Sequence, residues 1–108
     1  SKAAAITYNA ATAGFSLRSA TAINTSGYTA FQFWVLGTGK PLNVHIQTTD
    51  DGAASKQFAL TPPAGQWTFV TVPLSTLGSP SVIKRFNLQE SSNAPQTTLY
   101  VDELVLAR

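Results

Sequence analysis

Residues 29–36 read Thr-Ala-Phe-Gln-Phe-Trp-Val-Leu, and this stretch decides the fold class. Phe31, Phe33 and Val35 form one row of apolar side chains, and Gln32 and Trp34 lie between them. Successive side chains of a β-strand point to opposite faces of its sheet. Because turn-favouring residues bound the stretch on both sides, the alternation predicts a strand with one row toward a core.

The rest of the chain repeats this design. Turn residues divide it into short segments rich in Val, Ile, Thr and aromatic residues, and no segment shows a sustained apolar stripe at helical period. One helical turn is predicted around 75–77. Eight strands are predicted, near 3–9, 14–19, 29–36, 42–48, 55–60, 67–73, 82–89 and 99–106. This spacing is typical of an all-β, antiparallel β-sandwich.

The length and the alternation together define the expected domain. A chain of 108 residues suits one compact domain, and we assign 1–108 to it. The rows that alternate with polar residues predict the core, which comprises Phe15, Leu17, Phe31, Phe33, Val44, Ile46, Phe58, Leu60, Val70, Val72, Phe86, Leu88, Leu104 and Leu106.

Composition excludes several classes of function. Charged residues make up only 11% of the chain, and its basic residues are scattered rather than clustered in the stripe that nucleic-acid binding requires. No apolar run approaches the roughly 20 residues needed to span a membrane. Cysteine is absent, which removes disulfides and thiolate metal sites.

The polar rows of three strands carry the candidate binding chemistry. Asn and Gln can donate to and accept from adjacent sugar hydroxyls, Arg offers a planar donor fork, and an indole offers a flat apolar platform. The eight candidates face away from the core, and they share one surface only if their strands are neighbours: Gln32, Trp34, Asn43, His45, Gln47, Arg85, Asn87 and Gln89. An incidental polar face is the alternative. Trp67 and the tyrosines are expected mainly to serve packing.

Catalysis is not expected. His45 is the single histidine, and no Ser lies in the Gly-x-Ser-x-Gly motif of hydrolases. Asp50 and Asp51 precede a glycine, which is good turn chemistry. Asp102 and Glu103 are consecutive on a predicted strand, so they face opposite sides and cannot act as a pair.

Three runs of sequence resemble a known family. They are Tyr28-Thr-Ala-Phe-Gln-Phe-Trp-Val-Leu-Gly37, then Gly65-Gln-Trp-Thr-Phe-Val-Thr-Val-Pro-Leu74, then Leu99-Tyr-Val-Asp-Glu-Leu-Val-Leu106. In this order they look like the jelly-roll carbohydrate-binding modules of bacterial polysaccharide-degrading enzymes and surface proteins. The resemblance implies non-catalytic binding of a polysaccharide or oligosaccharide, at the cell surface or outside the cell, in the service of an attached protein.

The sequence departs from that family in two respects. The N-terminal strand of such modules is missing, so we expect an unpaired edge that a lost N-terminal segment, a dimer mate or a neighbouring domain of the parent protein fills. Many such modules also hold a structural calcium ion through the Asp of the last motif, here Asp102. No Asp or Glu precedes Asp50, so the expectation is no cofactor, with calcium at Asp102 as the alternative.

The function predicted from sequence is therefore carbohydrate binding without catalysis. The alternative is a structural or protein-interaction domain of the same fold, which pairs with another chain or braces a neighbouring domain. An exposed strand edge favours this alternative.

Overall fold

The computed structural model describes residues 3–108, which form eight strands and one short 3-10 helix. The elements are β1 (Ala4–Tyr8), β2 (Gly14–Asn24), β3 (Ala30–Leu36), β4 (Leu42–Gln47), β5 (Phe58–Leu60), β6 (Trp67–Pro73), η1 (Leu74–Leu77), β7 (Val82–Glu90) and β8 (Gln96–Ala107). Within the described residues no helix is long and apolar enough to cross a membrane.

The strands form two four-stranded antiparallel sheets. The first, sheet A, has the order β1-β8-β3-β6, and the second, sheet B, has the order β2-β7-β4-β5. Consecutive strands mostly alternate between the sheets, so the apolar rows of both face one interior. The predicted all-β, antiparallel sandwich and the predicted helical turn are confirmed.

Three strands differ in length from the prediction. β2 continues past residue 19 through an irregular stretch, and Ile23 pairs with Ile83 beyond it. β8 begins earlier than predicted, at Gln96, which pairs with Tyr8 of β1. β5 begins later than predicted, at Phe58. The added residues of β2 and β8 depend on a neighbouring strand rather than on an apolar alternation, so the local sequence carries no signal for them.

The core contains most of the predicted residues. Phe33 and Val44 are completely buried, and the Phe86 ring packs 4.9 Å from Phe31 and 6.0 Å from Phe33 between ring centroids. Phe15, Phe58, Leu60, Val70, Leu104 and Leu106 are partly buried against this cluster. The core also contains residues that were not predicted from the sequence, among them Ile6, Tyr8, Leu42, Leu74, Leu77, Ile83, Leu99 and Val101.

Leu17 is the wrong assignment in the predicted core, since 43% of it is exposed. Leu17 lines the apolar part of the sandwich beside β8 that β1 does not cover among the described residues, where the pairing reaches Ala4 opposite Val101. Within residues 3–108, the outer edge of β8 from 102 to 107 has no partner strand. The apolar groove left there, with a volume of about 260 Å³, is lined by Leu17, Ile23, Phe31, Ile83, Phe86, Leu104 and Leu106 among others. Among the described residues, an unpaired edge of the kind that the sequence predicted is thus present.

At the end of the sandwich away from the groove, the buried carboxylate of Glu90 contacts both the β1–β2 loop and the β7–β8 loop. Glu90 is 1% exposed and accepts hydrogen bonds from the Thr12 amide at 2.8 Å, from the amide and hydroxyl of Ser92, and from Gln96. Burial alone would raise the pKa of Glu90, but these hydrogen bonds, led by that of the Ser92 hydroxyl, lower it to about 2. Nearby, Tyr8 donates its hydroxyl to the Leu88 carbonyl, and burial together with the charge of Glu90 raises the tyrosine pKa.

Candidate functional site

The outer face of sheet B gathers most of the predicted contact residues. β4 and β7 are neighbours, and their register places Asn43 opposite Gln89, His45 opposite Asn87, and Gln47 opposite Arg85. Directly opposed residues of an antiparallel pair share a face. The six side chains therefore form one cluster of three cross-strand pairs.

β2 adds a third strand of polar side chains to this face. Ser16 lies opposite Asn87, and Arg18 lies opposite Arg85. Neither Ser16 nor Arg18 was among the predicted contacts, although both alternate with Phe15 and Leu17 in the sequence. We call the combined surface the polar face, and it consists of Ser16, Arg18, Asn43, His45, Gln47, Asp50, Arg85, Asn87 and Gln89.

Asp50 compensates part of the positive charge of the polar face. It follows β4 in a turn, as its sequence predicted, and its two carboxylate oxygens lie 3.6 Å from Arg18 and 3.6 Å from Nε of Arg85. Arg85 also donates from a terminal nitrogen to the Ser16 hydroxyl at 3.2 Å. Two enclosed atoms, Asp50 Oδ1 and Arg85 Nε, have no hydrogen-bond partner among the described residues. Sequence analysis missed Asp50 because only the fold brings the two arginines to it.

The amides hold one another in place. Asn87 donates Nδ2 to Gln47 Oε1 at 3.1 Å, and Gln47 donates Nε2 to the Gly52 carbonyl at 2.7 Å. Gln89 donates Nε2 to the Thr12 carbonyl at 2.8 Å. Asn43 and Asn87 are buried, at 9% and 8% exposure, so they form the floor of the polar face rather than its accessible surface.

His45 is a neutral member of the polar face at pH 7. Its Nδ1 lies 3.1 Å from Asn43 Oδ1, and burial lowers the pKa of the imidazole below its ordinary value of 6.5. A neutral imidazole has one donor and one acceptor nitrogen. Since Asn43 Oδ1 is an acceptor, the Nδ1–H tautomer suits this contact and leaves Nε2 as an acceptor.

Gln32 and Trp34 lie on the other side of the molecule. β3 belongs to sheet A and is not a neighbour of β4 or β7, so the condition for one surface shared by all eight residues is not met for these two. Trp34 does face away from the core, as the alternation predicted, and it is 38% exposed. Alternation determines which way a side chain points, but the sheet to which a strand belongs depends on long-range pairing.

Trp34 belongs to a second exposed surface, the outer face of sheet A. Register places Phe69 opposite Trp34, and Trp67 and Tyr100 both opposite Leu36. The exposed fractions of the rings are 38% for Trp34, 47% for Trp67, 48% for Phe69 and 37% for Tyr100. We call this surface the aromatic face. The expectation that Trp67 and Tyr100 serve mainly packing does not describe side chains exposed to this extent.

Asp102 lies on sheet A, opposite Trp34, and accepts a hydrogen bond from the Glu103 amide at 2.9 Å. Within residues 3–108, no group of three or more His, Cys, Asp or Glu side chains is placed to hold a metal ion. Calcium prefers several oxygen ligands, so the side chains around Asp102 do not by themselves fit such a site. The expectation of no cofactor, with calcium at Asp102 as the alternative, stays a prediction, which a calcium titration followed by thermal melting tests.

Comparison with known proteins shows the fold. No family model matches the chain, and no curated protein matches its sequence. Among solved structures, it is similar to the family 11 carbohydrate-binding module of the cellulosomal cellulase Lic26A-Cel5E of Clostridium thermocellum, with a TM-score of 0.72 and 12% sequence identity. The match covers 97% of this chain and 74% of that one. The likeness confirms the jelly-roll fold expected from the sequence resemblance.

Proposed function

We propose that this domain binds an uncharged polysaccharide chain on the polar face and performs no chemistry on it. The observation that carries the proposal is the alignment of three neighbouring strands, which bring amide, imidazole and guanidinium groups into register on one sheet face. The similar module in a cellulase is a carbohydrate-binding one, which supports the same ligand class at the level of the fold.

The charge distribution favours an uncharged ligand. Arg18 and Arg85 would suit an acidic sugar, but Asp50 lies within 3.6 Å of both and offsets one of the two positive charges. His45 is neutral at pH 7 because burial lowers its pKa. A ligand rich in hydroxyls suits the amide of Gln89 and the neutral imidazole of His45, which are uncharged hydrogen-bonding groups.

Each part of the polar face has a distinct role in this proposal. Asn43 and Asn87 form a rigid floor, because the first contacts His45 and the second is tied to Gln47. His45, Gln89 and Arg85 are more accessible and contact the sugar hydroxyls directly. Side chains held by mutual hydrogen bonds lose little entropy on binding, which is the benefit of preorganisation.

The biological role follows from binding without catalysis. We infer that the domain holds a larger secreted or surface protein, bacterial by its sequence resemblance, against a polysaccharide. Asp50 is engaged with two arginines, and Glu90 is buried and fully hydrogen-bonded. Asp50 is held in these ion pairs and Glu90 in its hydrogen bonds, so neither serves as an acid or base toward a ligand on the polar face.

Affinity electrophoresis in gels that contain hydroxyethylcellulose, mixed-linkage β-glucan, xylan or galactomannan tests the proposal. We expect at least one of these polymers to retard the unmutated domain. The double variant His45→Ala/Gln89→Ala should migrate closer to its own position in a gel without polysaccharide. Gln66→Ala is the matched control, since Gln66 is an exposed amide in the loop before β6. Equal retardation of parent and double variant would contradict binding on the polar face.

A second function is favoured by the groove beside β8. An apolar groove of about 260 Å³ next to an unpaired strand edge suits an added β-strand, supplied by another segment or another chain. Under this alternative the sandwich is mainly an interaction domain. Absence of binding to every polysaccharide tested, together with stable pairing in solution, would favour it.

A further inference from the structure

We propose that the aromatic face is a second carbohydrate-binding surface, so that the domain engages two polysaccharide chains on opposite sides. This proposal rests on the proposed function for its ligand class, an uncharged polysaccharide, and it assigns a second binding site for that class to the aromatic face. The polar face and the aromatic face are the outer faces of the two sheets, and no single sugar unit can touch both.

The exposure of the rings is the first observation. Trp34, Trp67, Phe69 and Tyr100 each leave between 37% and 48% of their surface open on one sheet face. Aromatic side chains of this size normally serve cores or interfaces, and a contiguous exposed group of them marks a contact surface. Their positions on β3, β6 and β8 are fixed by strand register rather than by loops.

The absence of basic residues narrows the class of ligand. The sequences of β1, β3, β6 and β8 contain no Lys or Arg, and their acidic residues are Asp102 and Glu103. A nucleic acid, an anionic lipid surface or an acidic polysaccharide needs positive charge on its binding surface. The aromatic face therefore suits an uncharged ligand.

Polar groups between and beside the rings distinguish a sugar from a purely apolar partner. Gln32 lies opposite Thr71, one step along the strands from the pair of Trp34 and Phe69. On the β1 side, the hydroxyls of Thr7 and Thr98 lie 2.6 Å apart, one step from Tyr100. A pyranose presents C–H groups on its faces and hydroxyls around its rim, and this surface offers rings with hydroxyls and amides around them.

The angle between the rings favours a single soluble polysaccharide chain as the ligand over the flat surface of a crystalline polysaccharide. The Trp34 and Phe69 centroids are 5.2 Å apart, but their planes are inclined by 56°. Two inclined rings cannot both lie flat on one plane of packed chains. They can enclose one soluble chain, which we take as the ligand of the aromatic face.

Two sites on opposite faces have a measurable consequence. A protein that holds two chains cross-links a soluble polysaccharide, and its attachment to a polymer with many repeats gains from multivalency. We therefore expect the unmutated domain to raise the turbidity or viscosity of a polysaccharide solution, when the polysaccharide is one that retards the domain in affinity gels. The effect should be largest at an intermediate ratio of protein to polymer.

Affinity electrophoresis and turbidity with that polymer test the inference. Trp67→Ala is the main variant, because the side chain is 47% exposed and its removal leaves the core intact. We expect retardation to weaken by about two- to tenfold, the range of one aromatic stacking contact, and turbidity to be lost. Val105→Ala is the control, since it removes apolar area from the same face, at 49% exposure, without removing a ring.

The outcomes separate this inference from the proposed function. If Trp67→Ala and Trp34→Ala bind and cross-link like the parent while His45→Ala/Gln89→Ala loses binding, the aromatic face is not a sugar site and the proposed function stands. If only the aromatic-face variants lose binding, the aromatic face is a sugar site, but the assignment of the polar face and the binding of two chains on opposite sides are both overturned. If the parent binds no polysaccharide, both are overturned, and the aromatic face is better explained as a contact for another protein.

Discussion

The side chain of Glu90 hydrogen-bonds to two loops, and its ionisation makes the stability of the fold depend on pH. It is nearly inaccessible, and its carboxylate collects amide and hydroxyl donors from Thr12, Ser92 and Gln96. The folded state lowers the pKa of Glu90 from 4.5 to about 2. The stabilisation that the ionised form provides is thus fully present above pH 4.5 and is lost as the pH falls from 4.5 toward 2.

Glu90→Gln tests this account of acid stability. The amide keeps the shape and one acceptor oxygen but loses the charge-assisted hydrogen bonds, so we expect a lower Tm at pH 7. The parent Tm should fall between pH 4.5 and 2 more steeply than that of the variant. Thermal melts followed by circular dichroism across this range make the comparison. Parallel Tm curves for the two proteins would contradict the assignment.

The sequence predicts side-chain direction well at the scale of the residue. Trp34 faces outward and Phe33 inward, as the alternation of 29–36 requires. It does not predict Asp50 as a member of the polar face, because its partners Arg18 and Arg85 lie on β2 and β7. Charge compensation of this kind comes from tertiary contacts, and no local pattern signals it.

At the scale of the secondary-structure element, the connection between β3 and β4 requires a glycine at position 37. A Cβ on Gly37 would lie 2.5 Å from the Pro62 Cβ and 2.6 Å from the Pro62 carbonyl oxygen. The surrounding backbone is tied down, since Gly39 donates to Pro62 O at 3.0 Å and Gly65 donates to Gly37 O at 3.2 Å. The loop before β6 cannot retreat without breaking these hydrogen bonds.

Gly37→Ala is therefore expected to destabilise the fold by about 1–3 kcal/mol, the usual cost of overpacking a tight contact. Urea unfolding measures the change. Gly14→Ala is the matched control, because a Cβ there would meet only the Gln89 side chain, at 3.9 Å. The same urea midpoint for Gly37→Ala and Gly14→Ala would show that the loops yield without cost.

The ends of some strands were predictable from an apolar row that runs to them. β3 and β6 match their predicted ranges closely, because both carry apolar residues to their ends. β2 extends to Asn24 and β8 starts at Gln96, and in both extensions the side chains are mostly polar or small. Pairing with β7 and β1 respectively makes these segments strands.

The arrangement of strands in two sheets is the feature of the whole molecule that the sequence left undetermined. Alternation gives each strand two faces, but it cannot say that β3 lies in sheet A while β4 and β7 lie side by side in sheet B. For this reason the sequence identified most members of the polar face, yet it combined them with Gln32 and Trp34. The correct partition required long-range contacts.

The unpaired half of β8 predicts how the isolated chain behaves in solution. An exposed edge beside an apolar groove is a template for another strand. We expect chain 1–108 to self-associate as its concentration rises, or to retain a bound peptide. Val105→Lys should reduce this association by placing a charge at the edge, whereas Val105→Thr keeps the branched shape and should not. Size-exclusion chromatography with light scattering decides, and a peptide-free monomer at every concentration would count against the prediction.

The most direct test of the central claim maps the bound sugar onto the surface. A two-dimensional ¹H–¹⁵N NMR titration would use an oligosaccharide of the polymer that retards the protein most strongly in affinity gels. Binding on the polar face predicts the largest shift changes in the side-chain amides of Asn43, Gln47, Asn87 and Gln89 and in the backbone amides of β4 and β7. Saturable changes that spare sheet B, and fall on the groove beside β8 instead, would contradict the claim.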